Sequence, residues 1–136
     1  MLMPSIMNAQ YYNLAFRNYS SANGLSQSEV NCVFRDRLGF IWIGTEFGLT
    51  RYDGREFATY YHKVNDSTSV GENSIKDITE DNDGALWLAI GASGVSRMEP
   101  TTKKFTNFKP NREGTSVLSD NVKCIVTDHM NHVWIG

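Results

Sequence analysis

The sequence has little of what identifies the common functional classes. Its 136 residues include two cysteines, Cys32 and Cys124, too few for a disulfide framework or a cysteine zinc site. A formal net charge of −2 gives no reason to expect a basic surface for nucleic acid or for an anionic membrane. No apolar run approaches the ~18 residues of a membrane-spanning helix. We therefore predict contact with neither nucleic acid nor membrane.

Catalytic and metal-binding patterns are also lacking. No nucleophile stands near a histidine and an acid in a motif context, and the carboxylates Glu46 and Asp53 do not recur at matching offsets. His129 and His132 could form half of a metal site, but no third ligand recurs nearby. The sequence therefore predicts no catalytic residue, no metal site and no cofactor.

One motif is present three times. The tryptophans are Trp42, Trp87 and Trp134, spaced by 45 and then 47 residues, and each has aliphatic neighbours. Two further residue types recur before each of them, an aspartate six positions earlier (Asp36, Asp81, Asp128) and a turn residue three positions earlier (Gly39, Gly84, Asn131). A period of about 45 residues is typical of repeat architectures and matches the length of a four-stranded propeller blade.

Each repeat is predicted to consist of short strands separated by turns. The first strands are expected at Cys32–Arg35, Asp77–Glu80 and Cys124–Thr127, and the second at Phe40–Gly44, Ala85–Ile90 and His132–Gly136. The third are expected at Leu49–Tyr52 and Val95–Met98, and the fourth at Glu56–Tyr60 and Lys104–Phe108. Apolar residues three apart would also suit a helix, but turn glycines interrupt every window, and β-branched and aromatic residues dominate. The predicted fold class is all-β, a partial β-propeller of about two and a half four-stranded antiparallel blades.

The repeats suggest the following organisation. Residues 1–11 are interpreted as a signal-peptide remnant or a disordered start, and residues 12–24 as a lead-in strand, near Phe16–Tyr19, that forms the outer strand of a closing blade. Residues 25–69 and 70–116 form blades 1 and 2, and residues 117–136 the first half of a truncated blade 3. An incomplete array exposes the flat face of its terminal blade and unpaired strand edges. We therefore expect either self-association or further blades on a longer parent chain.

The segments DRLGFIWIGTEFGLTRYDGREF and ITEDNDGALWLAIGASGVSRMEP resemble the two-component regulator propeller repeat. In the second copy Ala89 and Ile90 replace the Gly-Thr of that repeat, and Asn131 replaces the turn glycine in the third. The resemblance implies a periplasmic sensor propeller in a parent protein that is anchored in the inner membrane, forms a homodimer and carries a histidine kinase. It also implies a carbohydrate-derived ligand such as an oligosaccharide.

Two other functions remain open beside that sensor role. One is a non-catalytic scaffold for dimerisation or protein–protein interaction, in which another domain holds the ligand. The other is a propeller lyase or hydrolase, which would need a charged cluster at the central mouth that the three copies do not show.

The repeated positions are expected to serve the fold. The tryptophans should lie in the core between blades, the aspartates at the first corner of a tight turn, and Gly39, Gly84 and Gly54 in the turns. Gly44 and Gly48 are expected to let the chain bend between the second and third strands. Ligand contacts are expected where the blades differ, and residues able to stack on or hydrogen-bond a sugar ring stand there: Phe47, Tyr61, His62 and Arg112.

Overall fold

The computed structural model describes residues 15–110 and 121–136, which form ten strands in three antiparallel sheets. Blade 1 contains β1 (Cys32–Arg35), β2 (Ile41–Thr45), β3 (Gly48–Tyr52) and β4 (Phe57–Tyr60). Blade 2 contains β5 (Ile75–Glu80), β6 (Leu86–Ile90), β7 (Gly94–Met98) and β8 (Phe105–Phe108). Half-blade 3 contains β9 (Ile125–Thr127) and β10 (Val133–Ile135), and a 3-10 turn covers Ser21–Asn23. The predicted fold class is confirmed.

The first strands of the three sheets lie next to one another. Strand order follows the sequence within each sheet, and β1 lies beside β5, which lies beside β9. Apolar side chains fill the space between blades 1 and 2: Trp42, Leu49, Ile75, Ile78, Leu86, Leu88, Ile90, Met98 and Phe105. A smaller cluster, Ala89, Val95, Val122 and Ile125, lies between blades 2 and 3. The core is therefore built between blades, because each sheet buries its face only against its neighbour.

The observed strands agree with the predicted ones to within one or two residues at each end. The lead-in segment is different, since residues 15–20 form no strand. A strand needs a hydrogen-bonded partner, and no other strand of the described residues pairs with Phe16–Tyr19. Tyr19 instead packs against Tyr52 and Phe57, with ring centroids 5.3 and 5.5 Å apart. The segment thus covers the outer part of blade 1.

One aspartate in each blade fixes both the first turn and the tryptophan. In blade 1, Asp36 Oδ1 accepts hydrogen bonds from the backbone amides of Leu38 and Phe40, at 3.0 and 2.9 Å. Asp36 Oδ2 accepts the indole N–H of Trp42 at 2.8 Å. Asp81 and Asp128 repeat all three bonds in their own blades. The last turn residue is left-handed in every copy, with φ of 91°, 84° and 67° at Gly39, Gly84 and Asn131.

These hydrogen bonds favour the ionised form of Asp81 and of Asp128. Burial of Asp81 by itself raises the pKa, but the Trp87 indole, the Ala85 amide and Arg97 outweigh it and hold the pKa below its usual range. The pKa of Asp128 is lowered to about 2, chiefly by the Trp134 indole and the His132 amide. The carboxylate is therefore an acceptor for the blade, with no free proton to donate near neutral pH.

Burial of the tryptophan decreases along the chain. Trp42 is 1% exposed, Trp87 is half-buried, and Trp134 is 61% exposed. Blade 2 covers Trp42, whereas no further sheet of the described residues lies over Trp134. The core position expected for Trp134 is thus open here, because a propeller tryptophan is buried by the following blade.

Gly44 has a different role from the bend expected of it. It lies inside β2, paired with Cys32 of β1 and Leu49 of β3. A Cβ at this position would stand 2.5 Å from Cys32 Sγ and 2.7 Å from Ile75 Cγ2. Glycine is therefore required by the close approach of Cys32 within the blade and of Ile75 on blade 2.

Asp81→Ala should lower the free energy of unfolding by about 2–4 kcal/mol, because it leaves two backbone amides and one indole N–H without their acceptor. The side chain of Asp81 is 5% exposed, so water has little access to replace it. Urea unfolding followed by tryptophan fluorescence measures the change. The neighbouring exposed Asp83→Asn is the control and should stay within about 0.5 kcal/mol of the parent sequence. Equal effects of the two substitutions would contradict the role given to Asp81.

Gly44→Ala should cost about 1–3 kcal/mol, the usual effect of overpacking a filled core. The same unfolding experiment applies, with Ala58→Ser on the exposed side of β4 as the control. A further variant, Ile75→Ala, removes Ile75 Cγ2, one of the two atoms nearest to the added methyl group. Gly44→Ala should therefore cost less in the Ile75→Ala background than in the parent sequence, and an equal cost would show that contact with blade 2 is not the reason for glycine.

Candidate ligand-binding face

The antiparallel order of the strands gives each blade two different edges. The turns between β1 and β2 and between β3 and β4 lie at one edge, and the aspartates are at that end. The β2–β3 loop and the long β4–β5 connection, residues 61–74, lie at the opposite edge, here called the loop edge. Phe47, Tyr61 and His62 all fall on the loop edge, so the fold brings these three predicted residues to one side of the molecule.

Two aromatic rings are accessible at the loop edge. Phe47 is 57% exposed and Tyr61 is 49% exposed. The Phe47 amide donates to Thr45 Oγ1 at 2.9 Å, which fixes the tight β2–β3 loop. Gly48 has a left-handed φ of 129°, and its missing Cβ would lie 3.1 Å from the Tyr61 ring. The Tyr61 ring therefore lies against bare backbone beside Phe47.

His62 is held by backbone and side-chain contacts. Its amide donates to Asn73 Oδ1 at 2.7 Å, and its Nδ1 lies 2.8 Å from the carbonyl oxygen of Val70. Since a carbonyl only accepts, Nδ1 carries the proton in this contact. The ring is thereby fixed in orientation, with its other nitrogen as the remaining polar atom. Arg112, the fourth predicted contact, lies outside the described residues.

Glu46 joins the two blades at the loop edge. Its carboxylate accepts hydrogen bonds from Asn31 Nδ2 at 2.8 Å and from Ser74 Oγ at 2.6 Å, and it pairs with Lys76 Nζ. Asn31 also donates to the carbonyl oxygen of Ile75 at 2.9 Å. Lys76 first, then Ser74 and Asn31, lower the pKa of Glu46 to about 2. The β2–β3 loop of blade 1 is therefore tied to the first strand of blade 2.

Glu46 is not among the residues predicted from the sequence. As a catalytic candidate it is set aside because it does not recur, since Gly91 occupies the corresponding place after Trp87. A signal was present in Asn31 and Lys76, which stand eleven residues before successive tryptophans. Both are polar residues at the beginning of a first strand. Adjacent first strands place them side by side, within reach of one acidic loop residue.

Other chemistry-bearing groups have structural partners. His132 Nδ1 lies 3.0 Å from Asp128 Oδ2, within the third hairpin. Burial first, and the charge of Asp77 second, raise the pKa of the Cys32 thiol to about 12. Within residues 15–110 and 121–136 no group of three or more His, Cys, Asp or Glu side chains is placed to hold a metal ion. No helix in that part of the chain has the length and apolar character to cross a bilayer.

The chain is similar to known propeller proteins. Residues 24–47 match the family described as the two component regulator propeller. Histidine kinase P4 of Formosa agariphila is 39% identical over 64 residues, which are 47% of this chain and 5% of that protein. The chain thus spans a small part of its curated relative.

The fold agrees with that similarity. The extracellular domain of the hybrid two component system BT3049 from B. thetaiotaomicron superposes with a TM-score of 0.79 at 26% identity, over 88% of this chain and 17% of that one. The extracellular domain of the hybrid two component system BT4673 from the same organism gives 0.61 at 25% identity, over 79% and 15%. The family match at residues 24–47, the threefold motif and these superpositions agree in making the chain similar to two-component regulator propeller proteins.

Proposed function

We propose that this chain is part of the extracytoplasmic sensor propeller of a hybrid two-component regulator. In this proposal it recognises a carbohydrate-derived ligand at its loop edge, and the parent protein passes the signal to a histidine kinase. The observation that carries the proposal is the similarity, over 88% of the chain, to the extracellular domain of a hybrid two component system. The segment itself has no catalytic role.

The division of labour among residues supports a binding role at the loop edge. The repeated aspartates, tryptophans and turn residues are engaged within and between the blades. Phe47 and Tyr61 are instead exposed, and His62 is oriented beside them. Sugars bind by placing an apolar ring face on an aromatic side chain while polar groups accept and donate around the rim. Arg112 is proposed as a further contact from the next interblade connection.

We further propose how the parent protein is organised. Residues 25–69, 70–116 and 117–136 are two blades and the start of a third in a longer array, because propellers close with typically 4 to 8 blades and these sheets do not close. In the closed propeller of the parent, where a partner strand is present, residues 12–24 supply the outer strand of the closing blade, and residues 1–11 are a signal-peptide remnant or a disordered start. The parent is a homodimer, anchored in the inner membrane with its propeller in the periplasm.

A dimerisation scaffold is the second candidate function. It is favoured by the exposed apolar side chains Val33 on blade 1 and Val126 and Trp134 on half-blade 3. In a scaffold a second copy of the chain would cover these faces, whereas in a sensor propeller further blades of the parent would cover them. The two functions separate on whether the complete ectodomain binds a soluble oligosaccharide.

Phe47→Ala in the complete ectodomain should weaken oligosaccharide binding about tenfold, the loss expected when one stacking contact is removed. Isothermal titration calorimetry measures the affinity, after a panel of soluble oligosaccharides has been screened by thermal shift. Phe16→Ala is the matched control, since Phe16 is an exposed aromatic outside the loop edge.

Unchanged affinity in the alanine variants of Phe47, Tyr61, His62 and Arg112 would place the ligand elsewhere. An ectodomain that binds no oligosaccharide and forms a stable dimer would favour the scaffold.

A further inference from the structure

We propose that the outer groove between blades 1 and 2 binds an acidic saccharide, one that carries carboxylate or sulfate groups. This groove, here called the lysine groove, runs between β4 and β8 beneath the β4–β5 connection. Four lysines line it, together with an aromatic ring and an imidazole: Lys63, Lys103, Lys104, Lys109, Tyr61 and His62. The inference rests on the proposed carbohydrate-sensing function and specifies the class of ligand.

The groove has the size of a small-ligand site. It consists of two adjoining clefts of about 230 and 490 Å³ that share Lys63 and Asp66. Together these fall within the range of ligand pockets, roughly 300–1,000 Å³. Tyr61 lines the first cleft and His62 the second. An aromatic ring and a fixed imidazole therefore stand within one continuous concave surface.

The charge in the groove is strongly positive for this protein. Four lysines and one aspartate line it, although the whole chain has a formal net charge of −2. Among the described residues, Lys63, Lys103 and Lys104 form no salt bridge with any acidic side chain. Like charges held close together repel, and a bound anion would remove that repulsion.

Asp66 does not neutralise the lysines by direct pairing. Its Oδ1 accepts the amide of Thr68 at 3.0 Å and the hydroxyl of Thr68 at 2.6 Å. These hydrogen bonds come first in lowering the pKa of Asp66, with the charges of Lys63 and Lys104 as smaller contributions. The carboxylate is therefore used to shape the connection, and the ammonium groups of Lys63, Lys103 and Lys104 stay available.

The groove is preorganised by backbone hydrogen bonds. The Lys63 amide donates to Ser69 Oγ at 2.9 Å, and the Ser69 amide donates to the carbonyl of Asp66 at 3.1 Å. The Phe105 amide donates to the carbonyl of Thr68 at 2.9 Å, which joins the connection to β8. A rigid backbone reduces the entropy lost on binding, so only the lysine side chains need to become ordered.

The lining favours a saccharide over other anions. The side chains of Asn65 and Ser67 line the groove together with the lysines and suit the hydroxyl groups of a sugar. Tyr61 offers a face for the pyranose ring. A nucleic acid would require a basic surface along many phosphates, and an acidic peptide would not use the ring face of Tyr61. Carboxylate or sulfate groups on a sugar would pair with the lysines.

The test uses the complete ectodomain and three probes of equal length: a uronate oligosaccharide, a sulfated oligosaccharide and a neutral oligosaccharide. The parent sequence is expected to bind one of the acidic probes. The double variant, Lys63→Ala with Lys104→Ala, should bind that probe at least tenfold more weakly. Its affinity should also depend less on salt, because exposed charge pairs are screened. Lys123→Ala is the control, an exposed lysine in the third repeat that should leave affinity unchanged. Unchanged thermal unfolding of the double variant would show that the fold is intact.

The outcomes distinguish this inference from the function on which it rests. Binding of the neutral probe alone, equal in parent and double variant, would overturn the acidic ligand while leaving carbohydrate sensing in place. Binding of no saccharide at all would contradict both.

A glutamate-rich peptide is included as a fourth probe. If only the peptide binds, and the double variant abolishes its binding, the groove takes an acidic protein segment and the saccharide assignment is wrong. Binding of one acidic saccharide and not the other identifies which anionic group the groove accepts.

Discussion

The hydrogen bonds made by one aspartate in each repeat hold the rest of the structure in place. The two oxygens of Asp36, Asp81 and Asp128 have separate tasks: one closes the turn and the other positions the indole of the following strand. The indole then forms the surface on which the next sheet packs, as Trp42 does against blade 2. A hydrogen bond made at a turn within one blade thus positions the side chain on which the next blade packs. A buried acceptor with three donors is costly to lose, so the turn and the packing between blades both depend on this one carboxylate.

Much of the architecture could be predicted from the sequence because a regular spacing of similar residues reveals both a repeat and its length. The spacing of the tryptophans and the alternation around them were sufficient to give four strands per unit, with bounds close to those observed. The aspartate is predicted at a turn corner, but its hydrogen bond to the indole is not predicted. The constant spacing shows that the aspartate and the tryptophan recur together, but it does not show that their side chains touch. Gly44 was misread for a related reason. Its neighbour Ile75 lies 31 residues away, on another blade.

The candidate site was harder to predict because it is formed by residues that do not recur. Phe47, Tyr61 and His62 could be selected as differences between blades, and antiparallel topology places them at one edge. Glu46 was discarded for its lack of recurrence, yet it connects Asn31, Ser74 and Lys76 across two blades. Among the lysines of the groove, Lys63 lies in the connection before β5, whereas Lys103 and Lys104 lie just before β8. They come together because the groove runs between β4 and β8. Sequence distance hides such clusters, whereas repeat positions are visible in the sequence itself.

The unequal burial of the three tryptophans has an optical consequence. Indole emission shifts to longer wavelength as the ring becomes exposed to water, so Trp42 and Trp134 occupy opposite ends of that range. Each is bonded to an aspartate in the same way, which leaves solvent as the main difference between them. The intrinsic fluorescence of the protein therefore reports whether another blade has docked on the terminal sheet. The emission wavelength of the repeated tryptophans thus indicates whether the terminal blade is covered by another one.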